Sequence, residues 1–406
     1  MSIGLAGIKV VDLTQGVSGP FATRLLSQMG ARIIKVERPG VGDLIRGWDT
    51  IVNGMCSGHA WVNPGKESLA LDLKSETGRA ILLELVKDAD VLIENFVPGT
   101  MEDWGFTYDK FKALNPRLVY CRISGFGQEE GSYRNRSALD LIIQGEAGLI
   151  LTNGSPQEPA KISLSLCDIS GSMYATIGIL EALFHRTTSN EGQEIQVALL
   201  DSIMTWTGYF PYMFWHGGKL PERVGLHHHT MAPYGPYPTK GGKMVIVAGG
   251  AGQKAHWLRF CEAIHRPKLA EDPKFETNAL RLENREEMDQ QICAAMTEYD
   301  RDYWLARFHE FGFPSGAMND LGEALDHPRI KARGLIKEVD SAVGKVKVFD
   351  FPPQFSKLES VNKLGPPALG EHTQSILAEL GLSVEKIAAL QQAKVVQIGA
   401  GAGTRK

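Results

Sequence analysis

The start of the chain alternates between strand and helix patterns, and this alternation limits the folds that the chain can adopt. Lys9 to Leu13 is an apolar run typical of a buried strand, and Arg32 to Glu37 is a second one. Between them, Pro20 to Met29 has the pattern of a helix that begins at a proline and is stopped by Gly30. Two strands that a helix connects in this way are normally parallel strands of one sheet. These residues therefore predict a βαβ unit.

The same alternation continues further along the chain. Residues 78–89 (GRAILLELVKDA) predict another helix, and residues 90–96 (DVLIENF), 117–127 (RLVYCRISGFG) and 192–199 (GQEIQVAL) predict further strands. The expected fold class is α/β, with a mostly parallel sheet that helices cover on both faces.

The pattern changes at Gly217 and Gly218, which follow an aromatic run. From there to about residue 330, a strand pattern and two amphipathic helix patterns predict a second, smaller α/β domain. We therefore expect a large domain to begin with residues 1–216, a small domain at 217–332, and a last segment, 333–406, that contains a linker.

The charge balance argues against nucleic-acid and membrane partners. The 406 residues include 43 Lys and Arg and 47 Asp and Glu, which gives a net charge of −4, and no long run of like charge occurs. Small molecules and other protein chains are the expected partners. The five cysteines form no CxxC pair, and neither a secretory leader pattern nor a run of about eighteen apolar residues occurs. We expect buried thiols and a cytoplasmic protein.

The first βα turn lacks the nicotinamide dinucleotide motif. Glu37 ends the second strand, where an acid would suit a ribose, but the turn at residues 14–21 (TQGVSGPF) contains only Gly16 and Gly19. Such a turn is still able to hold another nucleotide-bearing ligand. The three histidines in residues 227–230 (HHHT) have no zinc-site spacing, because consecutive residues do not share one face of a helix or strand. We expect no metal and no tightly bound cofactor.

Asp168 is an ionisable residue in a stretch that is otherwise apolar or small. It follows Leu166 and Cys167, and a helix is predicted from about Ser170 to His185. One explanation is a helix N-cap, whose carboxylate accepts hydrogen bonds from free N–H groups. Another is a carboxylate nucleophile that the helix N-terminus keeps ionised. The two explanations are compatible, and since no GxSxG elbow occurs, Asp168 is the candidate nucleophile.

Sequence blocks along nearly the whole chain carry a family resemblance. They include residues 5–43, 91–106 (VLIENFVPGTMEDWGF), 167–186 (CDISGSMYATIGILEALFHR), 271–287 (EDPKFETNALRLENREE) and 369–373 (LGEHT). In this order and spacing, the blocks resemble the family III CoA-transferases, a group that includes formyl-CoA and carnitine CoA-transferases. The resemblance implies a Rossmann-like large domain that binds CoA and contains both chain ends. It also implies an interlocked, ring-like homodimer, or a dimer with a paralogous subunit.

The resemblance implies a catalytic role for Asp168, since the acid of the block at 167–186 is the family's nucleophile. Asp168 would attack the thioester of an acyl-CoA donor and form a mixed anhydride. The CoA thiolate would then return to form an aspartyl-CoA thioester, from which CoA passes to a carboxylic acid acceptor. CoA and acyl-CoA would thus be substrates.

The resemblance also implies where CoA binds, namely on the first βαβ unit. Residues 16–18 would meet the pantetheine end, and Arg38 would meet the phosphates, because a guanidinium is always charged and binds two oxygens at once. The implied CoA-binding residues are Gly16, Val17, Ser18, Arg38, Leu71, Asn95, Phe96 and Arg136. One departure is Asp103, which stands where some members carry an arginine.

Two alternatives to CoA transfer remain open in the sequence. An acyl-CoA racemase or epimerase of the same fold would carry a histidine–aspartate pair, whereas the matching block here has Leu139 before Asp140. A non-catalytic CoA-binding subunit of a heteromer is the other alternative, and the presence of Asp168 argues against it.

The acceptor side is predicted from residues 223–237 (RVGLHHHTMAPYGPY), which resemble members that use succinyl-CoA with dicarboxylic acids. We expect succinyl-CoA as the donor and a substituted dicarboxylate as the acceptor, with His228 and Gln144 as substrate-binding residues and His228 as a hydrogen-bond donor. Arg134, Arg136 and Arg223 would suit a second carboxylate, although solvated surface positions explain them equally well. The aromatic run at 206–215 would suit an apolar pocket, but core packing is the commoner role for such residues.

Overall fold

The computed structural model describes residues 4–129, 131–249, 254–358 and 364–399. The chain forms two compact units. The first consists of residues 1–147, 162–208 and 329–406, and the second consists of residues 148–161 and 209–328. The first unit is thus assembled from three separate stretches. The domains expected at 1–216, 217–332 and 333–406, and the functions attached to them, stay predictions.

The strands and helices follow one another in the alternating order that the sequence indicates. The strands are β1 (Lys9–Asp12), β2 (Arg32–Glu37), β3 (Lys66–Leu71), β4 (Val91–Glu94), β5 (Val119–Ser124), β6 (Glu194–Ala198), β7 (Tyr234–Pro238), β8 (Met244–Ala248), β9 (Ser315–Ala317), β10 (Ile336–Ser341), β11 (Gly344–Phe349) and β12 (Val396–Gln397). The helices are α1 (Ser18–Gln28), α2 (Ser57–Val62), α3 (Glu76–Lys87), α4 (Thr100–Asp103), α5 (Tyr108–Leu114), α6 (Asp140–Glu146), α7 (Leu149–Thr152), α8 (Leu166–Ser189), α9 (Leu199–Thr205), α10 (Phe210–Gly217), α11 (Lys254–Ala263), α12 (Asn278–Glu283), α13 (Arg285–Met296), α14 (Arg301–Glu310), α15 (Leu321–Leu325), α16 (Pro328–Ala332), α17 (Thr373–Glu379) and α18 (Val384–Gln392).

A seven-stranded sheet with the order β12-β3-β2-β1-β4-β5-β6 forms the centre of the first unit. All neighbouring strands are parallel except β12, which is antiparallel to β3. The predicted α/β class with a mostly parallel sheet is therefore confirmed. Strand β1 lies in the middle, where Val11 pairs with Ile34 of β2 and Leu92 of β4. The carboxyl ends of these parallel strands consequently meet at one edge of the sheet.

Apolar side chains at helical spacing pack the helices onto this sheet. Helix α3 contributes Ile81, Leu82, Leu85 and Val86, all buried, to a core that also contains Val11. Spacings of three and four residues place these side chains on one face of the helix, which is why the segment forms a helix against a sheet.

Four fully buried charged residues lie beneath the first βα turn. The carboxylate of Asp12 at the end of β1 accepts a hydrogen bond from Lys66 Nζ at 3.2 Å, and Lys35 Nζ of β2 lies 2.9 Å from the carboxylate of Asp43. Asp12 also accepts hydrogen bonds from the hydroxyl groups of Thr14 and Thr23. Burial of unpaired charge is costly, so each of these ions depends on its partner.

The second unit is built on a three-stranded antiparallel sheet with the order β7-β8-β9. Its core is rich in aromatic residues and includes Trp257, Phe260, Trp304 and Phe308, each at most 1% exposed. Helices α11, α13 and α14 supply these core residues and other buried side chains of the unit.

The expectation of core packing for the aromatic run at 206–215 is wrong. Trp206, Tyr209 and Phe214 are exposed, and Tyr212 and Trp215 are 61% and 67% exposed. Helix α10 carries apolar side chains around most of its circumference, so a single packing face cannot bury them all.

The cysteines are free thiols in the structure. Four of them, Cys56, Cys121, Cys167 and Cys261, are buried as expected, whereas Cys293 is only partly buried. Across the described ranges, the helices are too short or too polar to cross a membrane.

We predict that Asp12→Asn lowers the free energy of unfolding by about 3–5 kcal/mol, because it leaves the ammonium of Lys66 buried without a countercharge. Urea denaturation of the purified protein measures this loss. The control is Glu84→Gln, which breaks the exposed pair of Glu84 with Lys87 on α3 and is expected to cost less than about 1 kcal/mol. Equal losses in the two variants would contradict the prediction.

Candidate active site

The turn between β1 and α1 is fixed from two sides. Gly16 has a φ of +72°, a conformation that is strained for other residues, and its N–H donates to Asp43 Oδ1 at 2.8 Å. On the other side, the Asn95 side chain accepts from the N–H of Gln15 and donates to its carbonyl, each at 2.8 Å. Asn95 Nδ2 also lies 3.2 Å from Ser18 Oγ. Three residues predicted to bind CoA, Gly16, Ser18 and Asn95, are thus brought together.

A second glycine allows α1 to approach this turn. A Cβ atom on Gly19 would lie 2.2 Å from the side chain of Thr14, which itself donates to the buried Asp12. Any larger residue at position 19 therefore requires the turn to shift. Val17 is the N-cap residue of α1 and is buried beside Ile45 and Cys56.

A cavity of about 250 Å³ lies next to the turn, at the carboxyl edge of the sheet. Ligands of open parallel sheets bind at this edge, where the connections between strands diverge. Of the predicted CoA-binding residues, Arg38, Leu71 and Phe96 line it, together with Lys74 and Trp104. The cavity combines apolar walls with exposed cationic side chains, as an adenine nucleotide requires.

Glu37 does not contribute a free acid to this cavity. Its buried carboxylate accepts two hydrogen bonds from Arg46, at 2.7 and 2.8 Å, and one from Ser68 at 2.6 Å. Burial opposes ionisation, but these partners and Lys35 outweigh it and lower the pKa of Glu37 to about 2. The Glu37 carboxylate is therefore held by other side chains, and the absence of a dinucleotide ribose site stays a prediction.

Helix α8 begins earlier than predicted. It extends over Leu166–Ser189, so Ser165 is its N-cap and Asp168 lies in its first turn. The N-cap explanation of Asp168 is therefore wrong. The N–H of Cys167 instead donates at 2.8 Å to Asp140 Oδ1, a carboxylate from α6. A group supplied by a different helix thus satisfies one of the free N–H donors of α8.

Gln144 holds this capping carboxylate in place. It is fully buried, and its Nε2 donates to Asp140 Oδ2 at 2.6 Å and to the carbonyl of Ile162 at 3.0 Å. Its Oε1 accepts the N–H of Ile162 at 2.9 Å. The structure places Gln144, a predicted substrate-binding residue, behind Asp140, where it orients the carboxylate.

Asp168 is half-buried and, within the described ranges, its carboxylate accepts no hydrogen bond. Burial, together with the negative charge of Asp140, raises the pKa of Asp168 to about 7. Burial and the charge of Asp140 both oppose the ionised form that the sequence analysis expects at the helix N-terminus, and the ionisation of Asp168 there stays a prediction. A half-buried carboxylate that accepts no hydrogen bond from the described residues and has a raised pKa is suited to attack an electrophile.

Ser172 connects the two parts of this site. Its hydroxyl group lies one helical turn after Asp168 and is within hydrogen-bond distance of two carbonyl oxygens, 2.7 Å from that of Asp168 and 2.5 Å from that of Ser18. The first turn of α8 consequently packs against the start of α1. A hydrogen bond therefore links the helix that carries the candidate nucleophile to the start of α1, beside the glycine-containing turn.

His228 lies in the second unit and stacks on Tyr234, with ring centroids 5.0 Å apart. Its Nδ1 accepts the N–H of Thr230 at 3.2 Å, which leaves the proton on Nε2. Burial, aided by the positive charges of His229 and Arg285, lowers the pKa of His228 below its usual value. A neutral imidazole with an Nε2 proton is able to donate a hydrogen bond, and the role of His228 toward a substrate stays a prediction.

The loop that carries His228 is anchored by residues that the sequence analysis missed. Arg285 donates to the carbonyl of His228 at 2.7 Å, Arg281 donates to the carbonyl of Ala232 at 2.7 Å, and Asn278 donates to the carbonyl of Thr230 at 2.9 Å. Their spacing of three and four residues is the available signal in the sequence, and the structure places Asn278 and Arg281 on α12 and Arg285 at the start of α13.

The arginines proposed for a second carboxylate have partners of their own. Arg136 lies over the ring of Tyr133, 4.0 Å from its centroid, and 3.8 Å from Glu146, and it does not line the cavity. Arg223 donates to the carbonyls of Ser155 and Pro156. The roles of all the predicted site residues stay predictions. The part of the chain that the structure describes contains no cluster of metal-ligating side chains.

Known proteins are similar to this chain in sequence. The sequence profile of "CoA-transferase family III" matches residues 5–373. The chain is 33% identical to the succinyl-CoA:glutarate CoA-transferase of Mus musculus over 93% of this chain and 86% of that protein. It is 36% identical to the acetyl-CoA:oxalate CoA-transferase of Acetobacter aceti over 81% of this chain and 84% of that protein.

The fold is also that of a solved relative. The crystal structure of a CAIB/BAIF family protein from Brucella suis matches with a TM-score of 0.84 and 33% identity, covering 94% of this chain and 100% of that chain. The full-length matches in sequence and in fold agree with each other, and the chain belongs to CoA-transferase family III.

Proposed function

We propose that this enzyme moves CoA from succinyl-CoA to a dicarboxylic acid through covalent intermediates on Asp168. The observation that carries the proposal is a half-buried carboxyl in the first turn of α8 that accepts no hydrogen bond from the described residues, on a helix that Ser172 links to the carbonyl of Ser18. The names of the mouse and Acetobacter relatives support a dicarboxylate acceptor, since glutarate and oxalate are both dicarboxylates. The mouse relative also supports succinyl-CoA as the donor.

The first half of the reaction loads CoA onto the enzyme. The Asp168 carboxylate attacks the thioester carbonyl, the carbon–sulfur bond breaks, and CoA leaves as a thiolate from an aspartyl–succinyl anhydride. The thiolate then attacks the aspartyl carbonyl of this anhydride, succinate leaves, and an aspartyl-CoA thioester remains. A pKa raised to about 7 makes Asp168 a stronger base, and hence a better nucleophile, than an ordinary carboxylate.

The second half transfers CoA to the acceptor. The acceptor carboxylate attacks the aspartyl-CoA thioester, releasing thiolate and forming a second anhydride. The thiolate attacks the acceptor's carbonyl in that anhydride, which forms the new acyl-CoA and restores the Asp168 carboxylate. The backbone N–H groups at the start of α1, which have no partner inside the helix, supply donors for the negatively charged oxygens of these steps.

The proposed CoA position follows the turn and the cavity. The pantetheine end lies along residues 16–18, and the adenosine occupies the cavity next to Leu71 and Phe96, with Arg38 at the phosphates. The exposed apolar side chains on α8 and α10, such as Phe184 at 77% and Trp215 at 67%, support the proposed dimer, in which a second copy covers them. We place the reaction in the cytoplasm, consistent with the free cysteines.

We predict that Asp168→Ala and Asp168→Asn each lower kcat by about 10⁴-fold or more while CoA still binds, because a covalent nucleophile is removed. In the wild type, borohydride reduction after incubation with succinyl-CoA converts the aspartyl thioester to an alcohol and changes the mass of the peptide that contains Asp168. Asp201→Asn on α9 is the control acid and keeps full activity. An unmodified Asp168 peptide in a fully active enzyme would contradict the proposed covalent mechanism.

The pH profile tests the electrostatics of Asp168. We expect kcat/KM for succinyl-CoA to fall as the pH drops through about 7, because the protonated carboxyl does not attack. Asp140→Asn keeps an oxygen to accept the N–H of Cys167 but removes the negative charge, so the pKa of Asp168 falls and the acid limb moves to lower pH. Because Asp168 remains half-buried in this variant, the acid limb of the profile stays at a higher pH than an exposed aspartate would give. An Asp140→Asn profile identical to the wild type would contradict this prediction.

His228→Ala is expected to raise the acceptor KM about ten- to a hundredfold, because it removes a hydrogen bond to a carboxylate. The donor KM should change little. Initial rates with glutarate as the varied substrate, and then with succinyl-CoA, measure the two effects, and His216→Ala on the exposed end of α10 is the matched control. Equal increases in both KM values, or efficient turnover of oxalate with formyl-CoA, would count against the acceptor assignment.

A further inference from the structure

A second cavity, of about 450 Å³, continues from the first one toward the C-terminal segment of the chain. The two cavities share Arg38, Asp72 and Lys74 in their linings. The second adds Gln391 of α18, Lys394, which lies two residues beyond the end of that helix, and Gln397 of strand β12. The second cavity is therefore lined partly by a segment that lies more than 300 residues further along the chain than Arg38 and Lys74.

The second cavity carries an excess of positive charge. Arg38, Lys74 and Lys394 are exposed, and in the described parts of the chain none of their side chains forms an ion pair. Other exposed lysines differ in this respect, since Lys254 pairs with Glu276 and Lys274 pairs with Glu287.

Asp72 is the single acid in this lining, and its carboxylate accepts the N–H of Lys74 at 3.0 Å. Positive charge therefore dominates the cavity at neutral pH. Unpaired cations that surround one concave surface attract an anion.

The backbone fixes Lys394 beside this surface. The N–H of Asp72 donates to the carbonyl of Val395 at 2.8 Å, and Val396 pairs with Leu71 in the sheet. Lys394 itself has a φ of +57°, a conformation that glycine or asparagine adopts more readily. The chain therefore places a lysine where the backbone alone favours a smaller residue, and the side chain supplies a cation to the cavity.

We propose that this basic cavity binds the 3′-phosphate of CoA and that Lys394 determines the preference for CoA over dephospho-CoA. The inference rests on the proposed function, which places the adenosine in the adjoining cavity with its apolar walls of Leu71 and Phe96. A phosphate monoester on the ribose carries close to two negative charges at neutral pH and projects from the sugar. This phosphate is therefore the part of the nucleotide that a cluster of cations binds most strongly.

The test compares ligands that differ only in this phosphate. Lys394→Gln is expected to raise the Kd of CoA about fivefold, on the scale of one charge-assisted contact at a solvated site, and to leave the Kd of dephospho-CoA unchanged. Lys394→Arg restores most of the discrimination because it restores the charge. Lys386→Gln, on α18 and outside the cavity lining, is the control and behaves as wild type. Isothermal titration calorimetry with the full-length protein measures the binding of both ligands to the wild type and to the three variants.

Adenosine 3′,5′-bisphosphate and adenosine 5′-monophosphate serve as further probes, because they measure the phosphate preference without any acyl transfer. Equal weakening of CoA and dephospho-CoA by Lys394→Gln would assign the lysine to the diphosphate and overturn the proposal. So would unchanged binding of both ligands. If the wild-type protein binds neither CoA nor the bisphosphate, the proposed function fails. If the wild type binds both and Lys394→Gln does not change either Kd, this inference alone fails.

Discussion

The buried charges beneath the first βα turn connect the interior of the sheet with the surface at which the reaction is proposed to occur. Lys66 neutralises Asp12, and Lys35 lies between the carbonyl of Thr14 and the carboxylate of Asp43. Asp43 in turn accepts the N–H of Gly16. The conformation of the turn therefore depends on ions that are excluded from water, and any change that leaves one unpaired acts on stability and on the site together.

The parallel sheet was predictable because apolar periodicity reports burial directly, as in β1, β2, β4 and β5. Strand β3 was not predicted, although it lies between β2 and β12. Its first residue, Lys66, is fully buried, and the charge that makes this possible belongs to Asp12, 54 residues earlier. A pattern of neighbouring residues contains no information about such a partner. Only the fold brings the two charges together.

The same limit explains what could be predicted of the site. Asp168 was identified through the family resemblance and its unusual surroundings, and Gly16 through the same resemblance. The start of α8 was misplaced because its capping group, Asp140, comes from α6. The raised pKa of Asp168 was missed for the same reason, since the like charge that contributes to it is that of Asp140. The Asp140–Gln144 pair, four residues apart on one helix, was the local signal that was available.

Asp140 therefore has two opposing effects on α8. Its carboxylate stabilises the helix by accepting the N–H of Cys167, and its charge destabilises the ionised form of Asp168. In the proposed mechanism, acylation converts the Asp168 carboxylate into a neutral anhydride or thioester. The repulsion and the cost of an unsolvated charge both disappear at that step, whereas the cap on α8 is retained. In the proposed mechanism, formation of the covalent intermediate therefore removes a negative charge that burial and Asp140 both disfavour.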